Sequence, residues 1–201
     1  FLIFIKKYDI IFIQRKKGRK NMKKILIVID AQNDFVYGIL GSKEAVDAAN
    51  RIRQKIDSLN DEDIVIFTRD THDENYVNTL EGKKLPVVHC VKDTPGWEVI
   101  DILKNTSHYN DRPKVDKKTF GATFLHNTIF NIFGRDRFDE SADIEIEVCG
   151  FCTDICVISN ALLVKAHFYN KIVKVDSSCS AGVSVKSHNE ALNTMRMCQI
   201  Q

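Results

Sequence analysis

Residues 144–175 read IEIEVCGFCTDICVISNALLVKAHFYNKIVKV, and this stretch decides the fold. IEIEVCGF (144–151) is a short β-rich apolar run, TDICVISNALLVKAHFYN (153–170) reads as a helix, and KIVKVDSSCS (171–180) returns to strand character. Two strands joined by a crossover helix make a βαβ unit, and its strands run parallel. KKILIVID (23–30) and DIVIFTRD (63–70) repeat the pattern of a strand covered on both faces, where apolar residues run on without alternation.

Working outward, Gly41-Ser42 precede KEAVDAANRIRQKI, where Ala45, Ala49, Ile52 and Ile56 fall at helical spacing. PVVHCVK (86–92) is expected to be a shorter strand, WEVIDILKN (97–105) a short helix, KVDKK (114–118) a strand end and TFLHNTIFNIF (123–133) a helix. A last helix is expected from about Ser184 to Met197, while THDENYVNTLEGKKL (71–85) is polar and irregular. This alternation predicts a three-layer α/β/α fold around a mostly parallel, Rossmann-like sheet. No glycine-rich loop follows the first strand, because Asp30-Ala31-Gln32-Asn33-Asp34 stands there, so no nucleotide cofactor is expected.

The 201 residues, 44% of them hydrophobic, suit one sizeable core. Six cysteines without a close, even spacing indicate free thiols in a reducing, hence cytoplasmic, setting. The net charge of +2 conceals an asymmetry: residues 1–21 carry seven Lys or Arg against one Asp, a local balance of +6 that leaves the remainder at −4. That stretch reads as a basic arm for a membrane surface or nucleic acid, as a leader, or as translated upstream sequence or added residues ahead of a start at Met22. The last is preferred, with 22–201 as one domain and neither nucleic acid nor membrane as partner.

In an open parallel sheet the ligand crevice lies outside the carboxyl ends of the strands. Asp30 ends the first strand, where a turn aspartate is the plain alternative. Thr153 is placed to cap the helix after 144–151 and Asp154 suits its first turn, which puts Cys156 where free N–H groups and the positive helix end lower a thiol pKa. The plain alternative is a buried cysteine acting as a small hydrophobe. Lys117 and Lys118 form a third element, ordinarily a solvated pair.

VIDAQNDF (28–35), DKKTFGAT (116–123) and GFCTDICV (150–157), in this order and on these elements, resemble the isochorismatase-like cysteine hydrolases, which include nicotinamidase. The resemblance runs from Met22 to the C-terminus. It implies the isochorismatase-like hydrolase fold, with Asp30, Lys117 and Cys156 catalytic and Lys117 preferred to Lys118. It also implies a cis peptide before Cys152, so that the backbone N–H groups of Cys152 and Cys156 form an oxyanion hole. The residue types suit the chemistry: a desolvated Asp30 takes the thiol proton, the thiolate attacks an amide carbonyl, and ammonia leaves a thioester for water to hydrolyse.

Asp70 and His72, two apart beyond a strand, and His89 on a later segment form a reasonable divalent-metal set, although ordinary hydrogen-bonded histidines are the commoner outcome. The resemblance to nicotinamidases, through D-x-H and HCVKDTPGW, implies that Asp70, His72 and His89 hold zinc, iron or manganese, zinc being preferred, with Glu81 as a fourth ligand. It further implies a homo-oligomer and a small amide substrate, nicotinamide first. Another small amide, a ureido acid or a vinyl ether stays open, because Thr71 replaces a frequent Trp and Gly121-Ala122-Thr123 a frequent Ser-Ala-Phe. Phe35, Tyr76 and Phe120 are candidates to stack on a flat ring. A rival from another class is a thiol redox protein using Cys149 and Cys152 of C-G-F-C.

Overall fold

The computed structural model describes residues 23–135, 138 and 144–201; the 1–21 stretch, expected to be an extension, lies outside the described residues. Five strands form one sheet: β1 (Lys23–Ile29), β2 (Ile64–Asp70), β3 (Lys114–Lys117), β4 (Ile144–Phe151) and β5 (Ile172–Ala181). Their order is β3-β2-β1-β4-β5, and every pair is parallel. The chain builds outward from β1 to one edge, then crosses to the other side at β4, so the order reverses between β1 and β4. That switch point is where such sheets place their crevice.

The helices include α1 (Asn33–Val36), α2 (Lys43–Asp57), α3 (Leu80–Lys84), α4 (Asp101–Lys104), α5 (Leu125–Phe133), α6 (Ile158–His167) and α7 (Val185–Met197). β1 shows why they cover both faces. Leu26 and Val28 join one buried cluster with Ala48, Ala49, Ile52 and Ile56 of α2, while Ile25, Ile27 and Ile29 join another with Ile129 of α5 and Ala161 and Val164 of α6. Alternate residues of a strand point to opposite faces, so an unbroken apolar run needs a layer on each side. Each fully buried Ile or Val contributes roughly 1.5–3 kcal/mol over an exposed one. Ser42 caps α2 by accepting the Ala45 N–H at 3.0 Å.

Three local expectations fail. PVVHCVK is not a strand: Val91 makes one bridge to His72, Pro86 has no N–H to offer, and Cys90 and Asp93 turn the chain with φ of 45° and 63°. WEVIDILKN becomes helical only at Asp101, because Val99 is held extended by an antiparallel bridge to Gln32. The helix after β4 opens as a π turn, Thr153–Val157, with Cys152 rather than Thr153 at the cap position. Thr153 is fully buried and its hydroxyl meets His188 Nδ1 at 2.8 Å, so it is not free to cap.

Candidate active site

Each group of interest stands at or just beyond a strand's carboxyl end. Asp30 follows β1, Asp70 closes β2, Lys117 closes β3 as the register partner of Asp70, and Cys152 and Cys156 follow β4. Asp30 has a left-handed φ of 47°, rare for a non-glycine residue, and its N–H still reaches the Thr68 carbonyl at 3.2 Å. Gly150 lets β4 pass close to β1, since a Cβ there would lie 2.0 Å from the Ile29 carbonyl oxygen. The Phe151–Cys152 peptide is cis.

Lys117 Nζ is the hub. It lies 2.7 Å from Asp30 Oδ2, 3.3 Å from Asp70 Oδ1 and 3.6 Å from Cys156 Sγ. Thr68 donates to Asp30 Oδ1 at 2.7 Å, so Oδ2 is left facing the ammonium. Burial raises the Asp30 carboxyl above its ordinary value against the opposing pull of Lys117. Burial alone would lower Lys117, but the charges of Asp30 and Asp70 prevail and hold it protonated. The Cys156 thiol is pushed up, by burial first and then by Asp30, with Lys117 opposing. The lowering expected from a helix start is therefore overturned: at this depth desolvation outweighs the helix end, and the thiol is raised rather than made acidic. Lys118 is exposed on the rim of the cleft.

A second cluster adjoins the first through Asp70. Asp70 Oδ2 is 2.9 Å from His72 Nε2 and 3.6 Å from His89 Nε2, and His72 Nε2 is 3.9 Å from Glu81 Oε1. One ligand atom from each of Asp70, His72, His89 and Glu81 lies within 4.8 Å of all the others. The donor set fits a divalent cation. His89 Nδ1 donates to the Val87 carbonyl at 2.7 Å, so Nε2 is the nitrogen turned toward Asp70. Two carboxylates around that nitrogen call for a positive charge between them, and the shift of His89 expresses the same need. Burial lowers its pKa, but Asp70 and the Val87 carbonyl raise it further. Asp70, which burial alone would raise, is held below the carboxylate range by His72, His89 and Lys117.

The segment after β1 holds both halves of this cluster, a role that sequence inspection did not assign. Gln32 accepts the Asp70 N–H at 2.7 Å and donates to the Asp70 and Trp97 carbonyls, both at 2.8 Å. Asp34 accepts the Cys90 N–H at 2.8 Å, fixing the residue next to His89, and Gly96 leaves it room: a Cβ there would sit 2.2 Å from Asp34 Oδ2. Thr68 was missed too. The available signal was a hydroxyl residue in an otherwise apolar strand.

Phe35, Phe120, Phe151, Ile155, Asp70, Glu81, His89, Cys152 and Cys156 line part of an apolar cleft of about 750 Å³. Phe35 and Phe120 line the cleft. Tyr76 does not, and its expectation as a stacking wall is corrected. It is buried behind the cluster, its ring 4.5 Å from that of His72 and 5.0 Å from that of His89, with its hydroxyl donated to the Leu85 carbonyl at 3.0 Å.

All six cysteines are free. Cys149 is wholly buried in β4 and burial holds its thiol high, while that of Cys152 is pushed up to about 12. Neither is the exposed, acidic thiol a redox pair requires. Among the described residues no helix is long and apolar enough to cross a membrane.

Comparison with known proteins gives a consistent set. The isochorismatase domain family matches residues 24–201. A nicotinamidase of Schizosaccharomyces pombe is 27% identical over 205 residues, covering 88% of this chain and 90% of the relative. Among solved structures, a pyrazinamidase/nicotinamidase from Streptococcus mutans is 28% identical with a TM-score of 0.69, covering 88% of this chain and 97% of its own. A pyrazinamidase of Pyrococcus horikoshii in complex with zinc shares the fold with a TM-score of 0.71 at 22% identity, covering 89% and 97%.

Proposed function

The chain belongs to the isochorismatase family and is a hydrolase of carbon–nitrogen amide bonds, and on that premise we propose that it converts nicotinamide to nicotinate and ammonia through a thioester on Cys156. The observation that carries the proposal is the convergence of Asp30, Lys117 and Cys156 on one ammonium, 2.7 Å from the carboxylate and 3.6 Å from the sulfur, beside a four-donor metal cluster in an apolar cleft. The two nicotinamidase relatives, at 27% and 28% identity, support the choice of substrate.

Asp30 accepts the thiol proton of Cys156, and the sulfur's electron pair attacks the carboxamide carbon. A neutral thiol deep in the site is workable because base and acid stand beside it and proton transfer accompanies attack. Lys117 compensates the negative charge that Asp30 and sulfur share in turn, where low dielectric strengthens its effect. The backbone N–H groups of Cys152 and Cys156, the oxyanion hole in this proposal, lie at the first turn beyond β4, where helical N–H groups lack partners of their own. Collapse expels ammonia as Asp30 returns the proton, leaving a thioester. Water attacks that thioester, Asp30 takes the water proton, and the acid departs as the thiol is restored. Asp70, His72, His89 and Glu81 would hold the metal, with zinc preferred. When bound, a divalent cation supplies a Lewis-acidic position beside the thiol, suited to a ring nitrogen or a water. Phe35 and Phe120 flank the ring.

An ammonia-release screen over nicotinamide, pyrazinamide and aliphatic amides, with wild type and Cys156→Ala and with and without chelator, tests the proposal. Release from nicotinamide that vanishes in Cys156→Ala is expected. Release from none of the amides would remove the substrate assignment.

A further inference from the structure

We propose that Asn160 is a positioning residue that locks the turn carrying Cys156 to the loop that follows Lys117, and so sets the separation of ammonium and sulfur. The proposal rests on the assignment of Cys156 as nucleophile and assigns a role to a residue outside the reacting groups. Asn160 lies in α6 with no solvent exposure. Its Oδ1 accepts the Ala122 N–H at 2.8 Å, and its Nδ2 donates to the Phe120 carbonyl at 3.0 Å and to the Cys156 carbonyl at 2.8 Å. Both amide hydrogens and one acceptor position are thus used on backbone groups of two separate segments.

Those segments matter. The first leaves β3 at Lys117 and carries Phe120 to the wall of the cleft, and the second holds the nucleophile. Among the described residues no other side-chain hydrogen bond joins residues 118–123 to residues 152–160. Asparagine is a poor helix-former because its amide competes for backbone partners, and here that tendency is put to use four residues after the cysteine. Between them the two segments fix the 3.6 Å contact of Lys117 Nζ with Cys156 Sγ. Misplacement of reacting groups by about 1 Å costs up to about 100-fold in rate, so a small relaxation of this clamp is amplified.

Three variants test the proposal. Asn160→Ala removes the clamp. Asn160→Ser keeps only the bond to the Cys156 carbonyl, through a hydroxyl reaching back four residues as Ser159 Oγ already does to Ile155 at 2.7 Å. Val164→Ala, a buried site in the same helix, serves as a control of similar thermal loss. Two readouts are taken well below the thermal midpoints: steady-state ammonia release from nicotinamide, and the rate of Cys156 alkylation by iodoacetamide followed at that cysteine by mass spectrometry. Both Asn160 variants are expected to lose about 10- to 100-fold in kcat with KM within a few-fold, and to alkylate at least about tenfold more slowly, while Val164→Ala keeps both rates. Alkylation unchanged in Asn160→Ala, or restored in Asn160→Ser, would overturn the clamp. If wild type releases no ammonia yet alkylation still depends on Asn160, the substrate assignment falls and the clamp stands. Should Asn160→Ala not fold, Asn160→Ser carries the test.

Discussion

Lys117 Nζ stands 2.7 Å from Asp30 Oδ2 with both side chains shut away from water. Breaking a buried pair by removing one partner leaves an uncompensated charge and costs about 3–5 kcal/mol. Lys117→Met should therefore destabilise the protein by about that amount as well as abolish ammonia release. The double variant Asp30→Asn/Lys117→Met should regain much of the stability and none of the activity. Denaturant midpoints of the single and double variants decide the matter, and equal midpoints would remove the ion pair from the account.

Away from the cleft, Lys55 Nζ bridges Glu147 at 2.8 Å and Asp176 at 2.6 Å. Burial would raise Asp176, but its bonds to Lys55 and Ser178 outweigh that and hold it below the carboxylate range. Its contribution is thus present above the ordinary value of about 3.9 and disappears as pH falls through the lower folded value. Lys55 has the opposite sign: burial would lower it, Asp176 and Glu147 raise it, and its contribution holds below about 10.4 and fades only at still higher pH. Thermal midpoints of wild type should fall steeply below about pH 4, and those of Asp176→Asn should start lower and fall less. Parallel curves would show that Asp176 has no part in acid unfolding.

Metal binding should depend on all four donors and on one residue that is not a donor. Wild type dialysed against zinc is expected to retain one equivalent, and His89→Ala essentially none. Asp34→Ala, which disturbs only the Cys90 N–H beside His89, should weaken binding about 10- to 100-fold, as loss of outer partners does. Elemental analysis after dialysis reads both, and zinc should raise the thermal midpoint of wild type. Full zinc retention by His89→Ala would exclude this cluster as the site.

The buried cysteine next to the turn that carries Cys156 offers a clean contrast. Cys149→Ala should retain ammonia release within a few-fold and lose about 1 kcal/mol of stability. Cys156→Ala should lose at least about 1,000-fold in kcat. Comparable losses at both positions would return the redox reading to contention.

Much of this was legible in the chain because strand character, helical spacing and position at a strand end are short-range properties. Asp30, Lys117 and Cys156 could be placed at the ends of strands, and the parallel sheet follows from the runs that hold them. Other features needed the third dimension. Tyr76 looked like a cleft wall because sequence shows that it is aromatic and near His72, not which side of His72 it packs on. The acidity expected of Cys156 reflected its helix position, whereas its burial depends on segments far away in the chain. Thr68, Gln32 and Asn160 are ordinary polar residues until the partners that they satisfy are brought to them.

β3 is four residues long and forms one edge of the sheet, yet it delivers Lys117. Edge elements with few pairings open at lower free energy than central ones. On mild heating or in low denaturant, this strand should detach while β1 and β4 stay paired, and the ammonium would leave with it. Loss of turnover would then precede loss of secondary structure, making enzyme activity an early reporter of loosening at one margin of the molecule.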